Sequence, residues 1–382
     1  MFVKKSSVSS VGIIRRCLST QRPPFYEVFP KKSIMNRVLF DLDSRHSYRK
    51  LYTVYENVYK TLDNDEEPVI PKFVDASDLM IMKKSLEAIR TRSHATNKHL
   101  LQLENELTEK AAEHGNNDAV SLLAYEAFMD KDAPKDDKEY AKELITKLLD
   151  MKHPLTTKLS ADTCIQNGMV EEGEHLYLEF LKLENDTFLA SEVYKGLGML
   201  YFQRADLTKS KLYFEQSVKT GPLDKLAEVH YYLGQLTTND ADRSKYHLEI
   251  SASQGFLQSF PLLGFLELNY FQNLTKAREW FKLGSEMGDV QCVIGLFDCF
   301  IKLDDLKIAS RLYLNLRESL SNSKDQEAQT VWKHFIESRG DSINKVKDLV
   351  YSNETVTGNI VKDTLSSQLN KKTTDKNNRW GI

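Results

Sequence analysis

The sequence predicts an all-α chain built as a solenoid of antiparallel helix pairs. Three observations predict it. Gly and Pro together number only 25 in 382 residues, too few for a fold made of many turns, and long stretches are rich in Leu, Lys, Glu, Ala and Tyr. A small residue followed at +3 and +4 by two bulky ones recurs six times: Ala141 with Leu144-Ile145, Gly173 with Leu176-Tyr177, Ser210 with Tyr213-Phe214, Ser244 with His247-Leu248, Ala277 with Trp280-Phe281 and Ala309 with Leu312-Tyr313. The spacings are 32, 37, 34, 33 and 32 residues, close to the ~34 of a tetratricopeptide unit. A second register lies 10 to 14 residues upstream in the last four units, at Leu197-Gly198, Leu233-Gly234, Leu263-Gly264 and Ile294-Gly295. Small residues on both helices of a pair remove bulk where the helices cross, and the bulky residues a turn later fill the groove towards the next pair. The class is therefore tetratricopeptide-like or Sel-one-like.

The elements follow in order. Residues 1–18 read as a mitochondrial presequence. Through Tyr26 the chain carries Lys4, Lys5, Arg15, Arg16 and Arg22, five Ser and no acid, and the first carboxylate is Glu27. Val8, Val11 and Ile14 form an apolar stripe against the charges. Arg16-Cys17-Leu18-Ser19 matches a matrix-protease site with Arg two before the cut, which places the cut between Leu18 and Ser19. Its removal takes four cations away and moves the net charge from −3 to −7, which disfavours nucleic-acid phosphates as the main partner.

Residues 19–110 form an N-terminal segment with a helix around 44–62, a loop at 63–68 and one or two lead-in helices over 75–113. The last begin at the N-cap signal Asp75-Ala76-Ser77-Asp78. The repeat array occupies 111–320, its first unit lengthened by an acidic loop at Lys131–Asp137. Gly221, Gly255 and Gly288 fall just past second helices, where a left-handed C-cap is expected, and Pro222 agrees with a stop. A capping helix is expected within 321–351, with Trp332, Phe335 and Ile336 on one face. Residues 352–382 are polar and read as a disordered tail. No stretch reaches the ~18 consecutive apolar residues of a membrane span; the longest, Val290 to Ile301, contains Asp298.

No catalytic or cofactor motif is present: no P-loop, dinucleotide fingerprint, zinc-protease helix, nucleophile elbow or calcium loop. His94 and His99 lie five apart, His46 stands alone, and His230 and His247 sit inside repeat helices, where a packed imidazole is the default. Cys17, Cys164, Cys292 and Cys299 form no C-x-x-C pair and read as reduced, mostly buried thiols. The chain is thus expected to be a binding protein and not an enzyme, with no cofactor or metal. Most repeat aromatics belong to the core. A helical-pair solenoid lines its concave face with first helices, and counting from the Gly register selects Glu192, Lys195, Glu228, Tyr231, Gln235 and Gln258 as candidate protein contacts. Taken singly, each fits a plain solvated face equally well.

Longer motifs carry a resemblance. Phe29-Pro30-Lys31-Lys32, Gly115-Asn116-Asn117-Asp118-Ala119, Phe180-Leu181-Lys182-Leu183-Glu184-Asn185, Gly264-Phe265-Leu266-Glu267-Leu268-Asn269-Tyr270-Phe271 and Ala277-Arg278-Glu279-Trp280-Phe281-Lys282 resemble a family of fungal mitochondrial export factors. That family helps move the C-terminal domain of cytochrome c oxidase subunit two across the inner membrane. The likeness runs from about Phe29 to Lys347; the polar extension beyond 350 departs from the family. The resemblance implies a peripheral protein on the matrix face of the inner membrane, with the subunit two C-terminal domain, an Oxa-type insertase and the membrane surface as partners. It implies no catalytic residue, and the acidic mature charge leaves no nucleic acid among the expected partners. Two other classes stay open, a general assembly or translation-linked adaptor with another client, and an enzyme whose site has no recognisable motif.

Overall fold

A computed structural model describes residues 22–354 apart from 63–66, 94, 238, 322 and 324. The expected presequence and its expected Leu18–Ser19 cut, Cys17, His94 and the expected tail from 355 onward lie outside the described residues. Among the described residues every regular element is a helix, and the chain divides into two compact units, 1–185 and 186–382.

In the first unit the helices are α1 (Phe25–Val28), α2 (Lys32–Asp41), α3 (Tyr48–Thr61), α4 (Ala76–Ser93), α5 (Lys98–Glu113), α6 (Asn117–Met129), α7 (Lys135–Asp150), α8 (Pro154–Gln166) and α9 (Val170–Leu183). Helices α1 and α2 were not expected: they are short, and their apolar positions are too few to show a period. Helix α2 forms by burying Met35, Val38 and Leu39, and α1 because aromatic burial organises it. Phe25 and Phe29 pack on each other at 4.5 Å and on Tyr52, Tyr55 and Tyr59 of α3 at 4.9–5.5 Å, and Tyr59 donates to the Pro23 carbonyl at 2.9 Å. Each such ring contributes roughly 1.5–3 kcal/mol on burial, enough to hold a one-turn helix with no intrinsic stability.

The expected start of α4 is a reciprocal capping box. Asp78 N–H donates to the Asp75 carboxylate and Asp75 N–H to that of Asp78, each at 2.9 Å. Arg45 clamps the same buried Asp78 from outside α4, with Nε 2.9 and 3.1 Å from its two oxygens. Burial alone would raise the Asp78 pKa, but the Arg45 and Asp75 hydrogen bonds and the Arg45 charge outweigh it and hold the carboxyl below its ordinary range. The expected acidic loop is shorter than 131–137. Helix α7 already starts at Lys135, and Asp136 and Asp137 lie in its first turn, where the helix dipole favours acids.

The second unit holds α10 (Phe188–Gln203), α11 (Leu207–Thr220), α12 (Ala227–Leu236), α13 (Ala241–Ser253), α14 (Ser259–Asn269), α15 (Leu274–Glu286), α16 (Val290–Lys302), α17 (Leu306–Leu316), α18 (Gln326–Ser338) and α19 (Gly340–Glu354). Both units are built of successive antiparallel pairs: α6 with α7 and α8 with α9 in the first, then α10 with α11, α12 with α13, α14 with α15 and α16 with α17 in the second.

The small-residue register marks the crossings. All six small residues are buried, and so are the six bulky residues four positions later. Ser210 Oγ donates to the Gly198 carbonyl at 2.9 Å and Ser244 Oγ to that of Gly234 at 2.7 Å, so the serines also tie the two helices together. A β-carbon at Gly198 would come within 2.6 Å of the Phe214 ring and one at Gly234 within 2.6 Å of Leu248. The fully buried Phe281 ring is approached in the same way by both Gly264 and Gly295.

Gly255 and Gly288 adopt φ of +80° and +93°, and each ends its helix in a Schellman pattern. Gly221 does not: its φ is −92°, ordinary extended backbone. Glycine is needed there for space, because a β-carbon would run into Ser191 Oγ and Leu226. The expected capping helix is two helices. The chain breaks at Arg339, whose guanidinium grips Asp298 of α16 with two bonds of 2.7 Å. Phe335 of α18 and Ile343 and Val346 of α19 bury against Phe297, Tyr313 and Leu316.

Candidate functional site

Helices α10 and α12 of the second unit carry five of the six residues selected from the sequence, and the sixth, Gln258, precedes α14. Lys195 on α10 and Glu228 on α12 are drawn together into an ion pair, each about one third exposed. The pair links the position three before Gly198 to the position six before Gly234 in the next repeat. At such exposure it contributes at most ~1 kcal/mol, so its value lies in fixing register and charge pattern.

Glu192 lies exposed one turn before Lys195 on α10. Tyr231 is half-buried: its ring meets Phe256 at 5.0 Å and Tyr232 at 5.2 Å. Burial pushes its phenol pKa up, and a hydrogen bond with Gln235 pulls it partly back. Gln235 thus serves Tyr231 from one turn later on the same helix. Gln258 is exposed but sits at the N-cap of α14, outside the helix body, because α14 begins only at Ser259. The structure therefore brings Lys195 with Glu228 and Tyr231 with Gln235 into direct contact. Glu192 and Gln258 stand at the ends of the first helices.

The face also carries residues that the Gly register does not select. Tyr232 stacks on Phe214 at 5.4 Å with rings 5° apart, and Phe202 meets it edge-on at 4.9 Å. Tyr201 stacks on Tyr213 at 5.4 Å. The bulky residue at +3 of each second helix is half-buried where the +4 residue is buried, and this signal could have found Tyr213; Tyr201 is buried and Tyr232 half-buried on first helices, where the register gives no such mark. Chemically the face offers the carboxylates of Glu192 and Glu228, the Lys195 ammonium, the Tyr231 phenol and the amides of Gln235 and Gln258.

His230 and His247 pair across α12 and α13, Nδ1 to Nδ1 at 2.9 Å, so one ring donates and the other accepts. His230 is buried, and its Nε2 has no partner among the described residues. Burial, with the neighbouring His247, lowers the His230 pKa to about 4. Two imidazoles fall short of a metal centre, and among the described residues no group of three or more His, Cys, Asp or Glu is placed to hold a metal ion. Cys292 and Cys299 are buried free thiols; burial pushes Cys299 up to about 11 and Cys292 higher still. Cys164 is free and half-buried. His46 is not isolated: its Nε2 lies 3.0 Å from the Phe73 carbonyl and 3.4 Å from Asp78. No described helix is long and apolar enough to cross a membrane.

Comparison with known proteins adds the following. Residues 21–116 match the model of the MSS2 N-terminal domain. Over 342 residues the chain is 36% identical to the mitochondrial protein MSS2 of Saccharomyces cerevisiae, spanning 86% of this chain and 97% of that protein. Among solved structures it is similar to the pilF protein of Pseudomonas aeruginosa, at TM-score 0.44 and 14% identity over 57% of this chain and 97% of that one. Yeast Tom70 is matched at TM-score 0.41 and 14% identity, over 85% of this chain and 62% of that one.

Proposed function

The chain belongs to the MSS2 family, and from that premise we propose that it is a mitochondrial cytochrome oxidase assembly factor that assists export of the C-terminal domain of subunit two. It acts from the matrix side as a peripheral protein of the inner membrane, by binding the client, an Oxa-type insertase or both. The observation that carries this reading is the 36% identity over 342 residues, which runs through both units.

The geometry of the second unit supports a holding role. A segment kept ready for translocation must be bound without being folded or cut. First helices packed side by side offer that through polar groups at repeat intervals. Lys195 with Glu228, Glu192 and Tyr231 provide charge and aromatic contacts, while the glycine and serine crossings beneath keep the surface rigid and spare the client the cost of ordering it.

The test is a topological one. In cells lacking the protein, subunit two is still made and its N-terminal part inserted, but its C-terminal domain stays in the matrix and resists protease added to swollen mitochondria. Reversing Glu192, Lys195 and Glu228 together gives a partial form of the same defect. Normal protease sensitivity of the C-terminal domain in the deletion strain refutes the export reading. Adducts to the mitoribosome in place of the client and insertase, after crosslinking in isolated mitochondria, would redirect it to a translation-linked adaptor.

A further inference from the structure

The second unit is electrically polarised from one end of its helices to the other. At the end where first helices hand over to second helices, windows 204–211, 239–245, 269–278 and 302–311 hold ten Lys and Arg against five Asp. At the opposite end, windows 186–192, 215–228, 249–258 and 282–291 hold three Lys against eight Asp and Glu. Handover turns are not basic as a rule, because those of the first unit, at 129–138 and 167–172, are acidic on balance.

The cations stand where local physics disfavours them. Lys209, Arg243 and Lys276 occupy the third position of α11, α13 and α15, and the helix dipole there favours acids. Lys209 and Arg243 each lie near the N-cap carboxylate of their own helix, 3.6 Å from Asp206 and 3.1 Å from Asp240, and Lys209 also rests over the Tyr201 ring; both remain exposed. Three of the five Asp at this end divide their oxygens between caps and neighbours: Asp206, Asp240 and Asp305 accept from the backbone N–H of Lys209, Arg243 and Ile308 at 3.0–3.2 Å, and the first two also pair with the side chains of Lys209 and Arg243. Lys245 is spent on the buried Glu267, 2.5 Å away.

The same turns raise apolar side chains into water: Leu207 is 52% exposed, Tyr270 67% and Leu303 45%. Between the third and fourth turns an open pocket of about 360 Å³, lined by Leu268, Asn269, Gln272, Leu274 and Lys302, presents an ammonium and two amides. That donor set suits a phosphate-bearing headgroup.

We propose that this basic end of the second unit seats on an anionic lipid bilayer, with Lys209, Lys276, Lys302 and Lys307 over the headgroups and Leu207, Tyr270 and Leu303 entering the headgroup–acyl boundary. The proposal rests on the reading of the protein as peripheral to a membrane, and it names the surface and the lipid chemistry. Charge alone would suit RNA as well, but RNA leaves Leu207 and Leu303 in water, whereas a bilayer boundary takes leucine and an amphipathic tyrosine together. Basic residues and buried apolar tips are the two signals that make peripheral attachment stable.

The experiment is flotation of the full chain, without its first 18 residues, on phosphatidylcholine vesicles and on vesicles in which one third of the lipid is phosphatidylglycerol. The parent floats with the anionic vesicles, stays behind with neutral ones, and is released by tenfold more salt. Reversing Lys209, Lys276, Lys302 and Lys307 to Glu lowers partitioning by at least ~100-fold. Leu207→Asn, Tyr270→Asn and Leu303→Asn together lower it roughly tenfold or more even at low salt. Reversing Lys219 and Lys225 at the opposite end changes it less than ~3-fold. All variants are at exposed positions, and unchanged helical circular dichroism and melting show that the fold is kept.

Equal flotation on neutral and anionic vesicles, an unaffected four-lysine variant, or RNA capture without vesicle binding would each overturn the proposal. Inorganic phosphate at matched ionic strength leaves the protein on the vesicles; its release by phosphate alone also overturns the assignment to a lipid surface. The readout needs no client. A deletion strain with normal subunit two topology therefore removes the export reading while leaving vesicle binding to be judged separately.

Discussion

Gly264→Ala tests whether the spacing of small residues holds the repeats together. The new methyl would lie within 2.6 Å of three ring atoms of Phe281, and Gly295 on α16 presses on the same ring with its own would-be methyl within 2.5 Å. Comfortable carbon contacts begin near ~3.5 Å, so the ring must move by about 1 Å, and the neighbouring helix stands in its path. Overpacking of this kind costs roughly 1–3 kcal/mol, while replacing a helical glycine by alanine returns up to ~1 kcal/mol of helix propensity. The expected outcome is a net loss of about 1–2 kcal/mol.

Urea titration followed by tryptophan fluorescence reads this unit directly, because Trp280 adjoins Phe281 and Trp332 lies in the same unit. Phe281→Leu, which shortens the ring edge, should be less costly in the Gly264→Ala background than alone, with a coupling of at least ~0.5 kcal/mol. Gly264→Ala with Gly295→Ala should cost more than the two singles added. Gly340→Ala, at a helical glycine whose β-carbon would meet nothing, serves as the control and should be neutral or mildly stabilising. A Gly264→Ala protein as stable as the parent, or no coupling to Phe281→Leu, would refute the packing argument.

Three further outcomes are expected. Exchanging Lys195→Glu with Glu228→Lys keeps an ion pair of opposite sense, so stability should stay within ~0.5 kcal/mol of the parent while crosslinking to the client falls; unchanged crosslinking would show that the first-helix face is not the contact surface. The His230 pKa is lowered to about 4, so the unfolded chain takes up a proton that the folded one refuses as pH falls from about 6.5 to 4. Stability should therefore be level above pH 7 and drop by roughly 2 kcal/mol between pH 7 and 5. His230→Leu should flatten most of that slope and leave a remainder from His247, whose pKa burial also lowers, with Lys211 and Arg243 acting in the same sense and Glu215 against them; an unchanged pH profile in the variant would refute the assignment. Arg339→Met should cost about 1–2 kcal/mol, because it strips the two bonds to a half-buried Asp298, and should raise limited proteolysis within α18 and α19 before any other region.

The sequence alone determined the class, the period and the crossings. Each of these rests on relations inside one helix or between two helices joined by a short turn. A small residue at one position and a bulky one a turn later can meet only the partner helix, so the pattern is legible at ~3.6 residues per turn. Ser210 beneath Gly198 and Phe281 between Gly264 and Gly295 are of this kind, and so is the capping box of Asp75 and Asp78. For the candidate face the register placed Lys195 and Glu228 on first helices without knowing that they bond, and it carried Gln258 beyond the start of its helix.

What only the tertiary structure decided is how far each helix is offset from, and rotated against, the next. That offset pairs His230 with His247, turns Gly221 from a left-handed cap into a clearance site, breaks the last helix so that Arg339 can reach Asp298, and gathers lysines from four separate turns at one end. Helix periodicity sets which side of a helix a residue occupies. The interlocking of ridges and grooves between helices, which no single helix encodes, sets which residues on those sides meet.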